Sequence, residues 1–370
     1  MTVGVSEALK GRLPVLETCV PVHVGKYDVV IHSPGFEDRT MAVVDSILPT
    51  PETRAVLLDY RPFNPKNRLS DVRSALVSRG LQIADSDILQ YDRFDPGDFE
   101  ARLRLQLLVN EAQHVVLDVS TMSKLAILLI LNVCRDLDLV VTILYAEATS
   151  YGPSRDEFEK AKQQNEIHRP TLQIFTGVHS VVRVSSLGSV AMQGQPTAAL
   201  VFMSFNDALT QVLLNSVYPS RLFLINGRPP IHSWREEATA WIHDQVRREW
   251  SEDNPVVSIC DGSVPLPLRA TSTLDYRETV SLLIELYWKL SATHRVLLAP
   301  AGSKMQAVGC YLVKALHPDI HIEYPSPEGF QPEYSSDIAA RWSLKLGRLS
   351  ELLGSISDQE RRDYLELALS

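Results

Sequence analysis

The chain has 370 residues, 45% of them hydrophobic and 22% charged, with 45 acidic against 36 basic side chains and a net charge of −9. That length and apolar content support two ordinary cores in one globular chain, and the acidic balance argues against extensive binding of duplex nucleic acid, which needs a basic face. The longest apolar runs, at 125–133 and 115–119, fall far short of the roughly 20 residues of a membrane span, so no membrane segment is expected.

Residues 1–20 lack the basic start, apolar middle and small-residue cleavage site of a signal peptide. Cys19, Cys134, Cys260 and Cys310 stand singly, with no CxxC pair, and read as core fillers in a reducing compartment. A cytoplasmic location is expected, with no disulfide framework. The histidines are scattered through both halves, and neither a metal site nor a cofactor is expected.

In chain order, short apolar runs alternate with amphipathic stretches, the pattern of parallel strands buried on both faces and joined by crossover helices. In the first half the spacing predicts strands at 27–32, 54–59, 83–90, 114–119 and 139–146, with helices at about 37–47, 69–79, 98–111 and 123–136. A polar, then Gly-, Ser- and Gln-containing stretch follows, with a helix expected near 157–166 and a hairpin within 172–192. The second half predicts strands at 198–203, 221–225, 255–259, 295–299 and 320–324, with helices near 206–216, 234–250, 274–290 and 304–316. Leucines at helical spacing over 338–369 predict two terminal helices, which either pack on the core or recruit a protein partner.

Local phrases repeat in the same order, which points to internal duplication. The opening strand of each half ends in Ser and soon reaches Phe and Asp, at Ser33, Phe36 and Asp38 against Ser204, Phe205 and Asp207. Each first helix ends in a Ser-x-x-Pro phrase, finishing at Pro49 and Pro219, and each second strand runs into Arg-Pro, at Arg61-Pro62 and Arg228-Pro229. The fourth strands lead into Ser120-Thr121-Met122-Ser123-Lys124 and Ala301-Gly302-Ser303-Lys304. The fifth lead to Tyr145 then Tyr151, and to Tyr324 then Phe330, at equal spacing. The expected architecture is α/β: two tandem Rossmann-like parallel-sheet domains at 1–153 and 197–333, a linker or insert at 154–196, and a helical segment at 334–370.

In open parallel sheets, ligands sit beyond the carboxyl ends of the strands, where loops enter helix N-termini. The Ser120–Lys124 turn offers hydroxyls, free N–H groups at a helix start and a cation, which suits a phosphate. Ser303 and Lys304 repeat that logic, with Gly302 allowing close backbone approach. Ser123 and Ser303 also read as ordinary helix caps. Arg61 and Arg228 are candidates for bidentate phosphate contacts, or for simple turns. Asp118, inside an apolar strand, reads as a buried group paired with a nearby hydroxyl or lysine. Glu147 and Tyr151 can close the pocket in one half, as Tyr324 and Phe330 can in the other. No GxxxxGK[ST] loop, GxGxxG fingerprint or GxSxG elbow is present.

The turn at Ser120–Lys124, with its counterpart at Ala301–Lys304, resembles the small-residue, Ser/Thr and Lys turn before the last-but-one helix of CRISPR-associated Rossmann-fold (CARF) domains. The resemblance covers the strand and helix order of both halves. Such domains are sensors for cyclic oligonucleotides, usually as symmetric dimers, and some slowly cleave the ligand. Carried over, the resemblance implies that Ser120, Thr121, Ser123, Lys124, Ser303 and Lys304 contact phosphates or sugar hydroxyls, with Ser33 and Ser204 on the opposite wall. The family turn commonly has two glycines and a threonine before the lysine, whereas Ser120–Lys124 has no glycine and Ala301–Lys304 has one.

Three functions follow as expectations. The first is a ligand-sensing subunit for a nucleotide or cyclic oligonucleotide in prokaryotic antiviral defence, with a homodimer among its candidate assemblies, that signals to a protein partner through its C-terminal helices. The second is a non-catalytic scaffold that has lost its ligand. The third is a metal-independent cyclic-nucleotide phosphodiesterase, with Thr121 or Ser123 positioning a ribose hydroxyl and Lys124 stabilising developing charge.

Overall fold

The structure, a computed structural model, describes residues 3–19, 21–253, 268–331 and 334–369. The chain divides into two compact units, Met1–Tyr151 with Pro332–Ser370, and Gly152–Gln331.

The first unit opens with α1 (Val3–Lys10) and is built on β1 (Asp28–His32), β2 (Arg54–Arg61), β3 (Ile88–Asp92), β4 (His114–Asp118) and β5 (Val140–Glu147). These run parallel in the order β3-β2-β1-β4-β5. Their apolar runs are buried on both faces, as Val29 to Ile31, Ala55 to Leu58 and Val115 to Leu117 are. The crossovers are α2 (Leu69–Ser78), α3 (Phe99–Val109) and α4 (Lys124–Asp136), and every α4 residue from Leu125 to Cys134 is buried.

The helix expected at 37–47 is instead two short 3₁₀ turns, Asp38–Met41 and Val44–Ser46, leading into Ile47–Pro49, which pairs with Val22–Val24. The polar groups of this stretch are engaged by distant partners rather than by a helical ladder. Arg39 reaches the carbonyl of Ala146, and the Thr40 carbonyl accepts from His32.

The second unit repeats the plan. It comprises α5 (Arg155–Gln164), β6 (Val178–Val182), β7 (Thr197–Phe202), α6 (Ala208–Val217), β8 (Arg221–Arg228), α7 (Trp234–Asp253), β9 (Arg269–Ser272), α8 (Tyr276–Leu290), β10 (Arg295–Pro300), α9 (Lys304–Leu316), β11 (His321–Ile322) and β12 (Tyr324–Pro327). Its parallel sheet has the order β9-β8-β7-β10-β11. Written by position, both sheets read third, second, first, fourth, fifth. The strand expected at 255–259 lies outside the described residues, and β9 holds the third place. In place of a hairpin within 172–192, β6 pairs antiparallel with β12.

The segment after residue 334 is not a pair of helices. It forms β13 (Ala340–Arg348), antiparallel to β5 from Ala340 opposite Glu147 to Arg348 opposite Val140, and then α10 (Leu349–Leu369). Trp342, Leu344 and Leu346 alternate along β13, and Leu344 and Leu346 are buried, so a period of two governs here. Leu349, Leu352 and Ile356 of α10 are buried as well.

Candidate functional site

Beyond the carboxyl end of the first unit's sheet, the loops after β1, β2 and β4 converge. His32 ends β1 and Asp118 ends β4, and the parallel register sets them side by side. Both side chains are buried, with His32 Nε2 3.0 Å from Asp118 Oδ2. Asp118 Oδ1 accepts the Ser120 N–H at 2.9 Å and the Ser120 hydroxyl at 2.6 Å. The same hydroxyl accepts the Ala146 N–H at 3.0 Å. Ser120 is therefore spent on ordering the turn, and Asp118 has a hydroxyl partner on Oδ1, while Oδ2 is buried with no hydrogen bond among the described residues.

Thr121 crosses to the first loop. Its hydroxyl donates to the Ser33 carbonyl at 2.6 Å and lies 3.3 Å from the Thr40 hydroxyl, which accepts the Gly35 N–H at 2.9 Å. A Cβ at Gly35 would stand 2.8 Å from Thr121 Cβ, so this contact needs glycine. Ser123 caps α4 by accepting the Ala126 N–H at 3.2 Å, and its own N–H donates to the Tyr60 hydroxyl at 2.7 Å. Burial pushes the Tyr60 phenol up, opposed by the neighbouring Ser33 and by the Ser123 N–H that it accepts.

Lys124 follows in the first turn of α4, half-buried. Among the described residues it has no ion-pair partner, and burial alone pushes its ammonium down to about 8. Partly desolvated cations are ordinarily paired, so this one is suited to an anion that arrives from solution.

Arg61, at the end of β2, is neutralised by Asp59 at 2.8 Å. Tyr151 accepts the Ala148 N–H at 3.0 Å and a hydrogen bond from Arg39 at 3.3 Å. Arg39 itself is buried against Glu37, which also accepts the Ser335 hydroxyl. Burial opposes the Arg39 charge most strongly, but Glu37, Tyr151 and Tyr145 together outweigh it and hold the guanidinium above its usual range.

The matching turn of the second unit is closed on itself. Ser303 and Gln306 form a reciprocal capping box: the Ser303 hydroxyl accepts the Gln306 N–H at 3.1 Å, and Gln306 Oε1 accepts the Ser303 N–H at 2.7 Å. A Cβ at Gly302 would fall 2.2 Å from that same Oε1, so the glycine makes room for the cap. The Ser303 hydroxyl donates to the Thr273 carbonyl at 2.7 Å, the Ser204 hydroxyl to the Asn206 carbonyl at 2.6 Å, and Arg228 pairs with Glu278 at 2.6 Å. Lys304 begins α9 with interactions of its own. A cavity of about 460 Å³ in this unit, lined by residues including His168 and Arg169, contains none of the sequence-predicted residues.

The structure thus gathers Ser33, Thr121, Ser123 and Lys124 at one strand end, with Ser120 beneath them. His32, Gly35, Thr40 and Tyr60 belong to the same cluster and were missed. Only the apolar strand preceding His32, matched to the strand ending in Asp118, carried a signal for them. His317 and His321, four residues apart, stack on Tyr287 at 3.7 Å and face Glu323 at 3.2 Å respectively. Among the described residues no cluster of three potential metal ligands occurs, and no helix is long and apolar enough to cross a membrane.

The fold class is α/β with parallel-dominated, Rossmann-like sheets. No family model matches the chain, and no curated protein matches its sequence. Among solved structures the chain is similar to a Type III CRISPR defence DNA nuclease activated by cyclic oligoadenylate, at 11% identity and a TM-score of 0.40. That match covers 80% of this chain and 65% of the nuclease, so this chain spans less than two thirds of that protein's length. It is also similar to the CobK precorrin-6A reductase, at 11% identity and a TM-score of 0.22, over 90% of this chain and 96% of that one. Neither likeness, at these values, specifies what this chain binds.

Proposed function

We propose that the first unit binds a phosphate-containing nucleotide at the carboxyl end of its sheet, and that the protein is a ligand-sensing subunit of prokaryotic antiviral defence. The observation that carries the reading is Lys124: a half-buried cation in the first turn of α4, in the same turn as Ser120, Thr121 and Ser123, with no ion-pair partner among the described residues. A phosphate supplies the missing charge and accepts from the α4 N–H groups. The resemblance of the Ser120–Lys124 turn to CARF domains gives the ligand its class, a cyclic oligonucleotide. Ser33, Thr121 and Ser123 bound the site, while Ser120 orders it from below.

Unequal use of the two halves is part of this reading. The caps and arginines are engaged in both halves, but Lys304 already has interactions of its own while Lys124 has no ion-pair partner among the described residues, so the second unit serves as framework. Native mass spectrometry of gently purified protein, followed by denaturing extraction, tests the proposal. A co-purifying phosphate-containing nucleotide, absent from Lys124→Ala, is the expected result. Nucleotide retained equally by that variant would overturn the assignment of the site.

A further inference from the structure

The loop from β2 into α2 holds an aromatic ring that the phosphate site does not use. Phe63 in this loop is 70% exposed, whereas Tyr91 is buried and Phe36 and Phe94 are half-buried. A single exposed apolar side chain is ordinary on a protein surface, and what distinguishes this one is where it is held. The loop is tied to the site at both ends: the Tyr60 hydroxyl accepts the Ser123 N–H at 2.7 Å, and the Arg68 N–H donates to the Gly35 carbonyl at 3.2 Å. Gly35 in turn lies against Thr121. Between the tethers, Pro62 and Pro65 restrict the backbone on either side of Phe63. Asn64 closes a turn by accepting the Lys66 N–H on its side chain and the Asn67 N–H on its carbonyl, each at 3.0 Å. Phe63 is thus presented to solvent on a stiff loop at the margin of the site, which lowers the entropic cost of using it as a contact.

The side chains gathered at this strand end, Ser33, Thr121, Ser123 and Lys124, suit phosphate and sugar but offer no face to a base. The loop supplies one, in basic surroundings: residues 60–70 include Arg61, Lys66 and Arg68 and no acidic residue. Arg61 is paired with Asp59 and Arg68 with Asp71 at 3.1 Å, whereas Lys66 is exposed with no ion pair among the described residues. An exposed ring beside an unpaired cation is the hardware that binds single-stranded nucleic acid: the ring stacks on a base and the cation holds an adjoining phosphate. Resting on the reading of Lys124 as a phosphate ligand, we infer that Phe63 is the base-stacking residue of the same site, with Lys66 on a second phosphate. The ligand is then recognised through a base as well as its phosphates, and stacking, which every base can make, sets affinity more than base identity.

Calorimetric titration of the chain with cyclic di-, tri- and tetranucleotides carrying each of the four common bases tests the inference. For those that wild type binds, Phe63→Ala should weaken binding by about fivefold or more. Its circular dichroism melt should be unchanged, because the ring already faces solvent. Phe63→Trp should keep the affinity and add a tryptophan emission that the bound base quenches, a signal that a merely structural role for the ring would not give. Lys66→Ala should weaken binding and flatten its salt dependence. Binding indifferent to Phe63→Ala or to Lys66→Ala, or a Phe63→Trp variant that binds without quenching, overturns the inference; if Lys124→Ala still weakens binding in that case, the phosphate site itself stands. Absence of binding by wild type to every probe overturns the site reading and this inference with it.

Discussion

Lys124 combines a binding feature with a stability cost. Unfolded, its ammonium keeps its proton up to the ordinary lysine value of 10.5, whereas folded it releases the proton at about 8. Below pH 8 the free protein bears the full penalty of desolvating that charge; as pH rises from about 8 to 10.5 the unfolded state holds more protons, so stability increases across that window. Lys124→Met should raise the stability of the unliganded protein at neutral pH by about 1 kcal/mol and remove this pH dependence, read by thermal melts from pH 7 to 10. The turn containing the lysine was legible in the sequence because hydroxyls, a helix start and a cation fall within five residues. The pairing of His32 with Asp118 was not, because it depends on the register of two strands separated by the whole of β2 and β3. Asp118 alone was interpretable, since a carboxylate within an apolar strand needs a partner wherever the chain provides one.

Among the elements, β13 departs most from expectation. Its leucines satisfy a helical spacing when read together with those of α10, and only the Trp342, Leu344, Leu346 alternation separates the two. The strand closes one side of β5, and the Trp342 indole donates to Glu147 at 2.8 Å. The C-terminal segment is therefore structural in the first unit, whatever else it contacts. Leu344→Ala, at a side chain 1% exposed, should cost about 2–4 kcal/mol in urea unfolding. A loss below 0.5 kcal/mol would mean that β13 is not docked as described. The missed 3₁₀ turns at Asp38–Met41 have a different cause. Local pattern favours a helix there, but Arg39, Thr40 and Glu37 each bond residues remote in sequence.

At the scale of the molecule, the repeated strand order was visible as repeated phrases, since each falls at a strand end where loop chemistry is constrained. The continuity of the units was not visible. The first unit takes its last strand and helix from beyond the second, and Ser150–Tyr151 pairs with Ser335–Ser336 where the chain leaves and returns. Residues 152–331 should consequently fold alone, and a short Gly-Ser linker in their place should leave a folded first unit. Residues 1–151 without β13 and α10 should not unfold cooperatively. Circular dichroism melts of the three chains distinguish these outcomes.

The most direct measurement is calorimetric titration of the chain with a set of cyclic oligonucleotides, comparing wild type with Lys124→Ala and repeating the wild-type titration above pH 8. The account predicts saturable binding that weakens by at least about tenfold in the variant and falls as the lysine loses its proton. Binding that is equal in wild type and variant and flat across that pH range, or no binding at all, would contradict it.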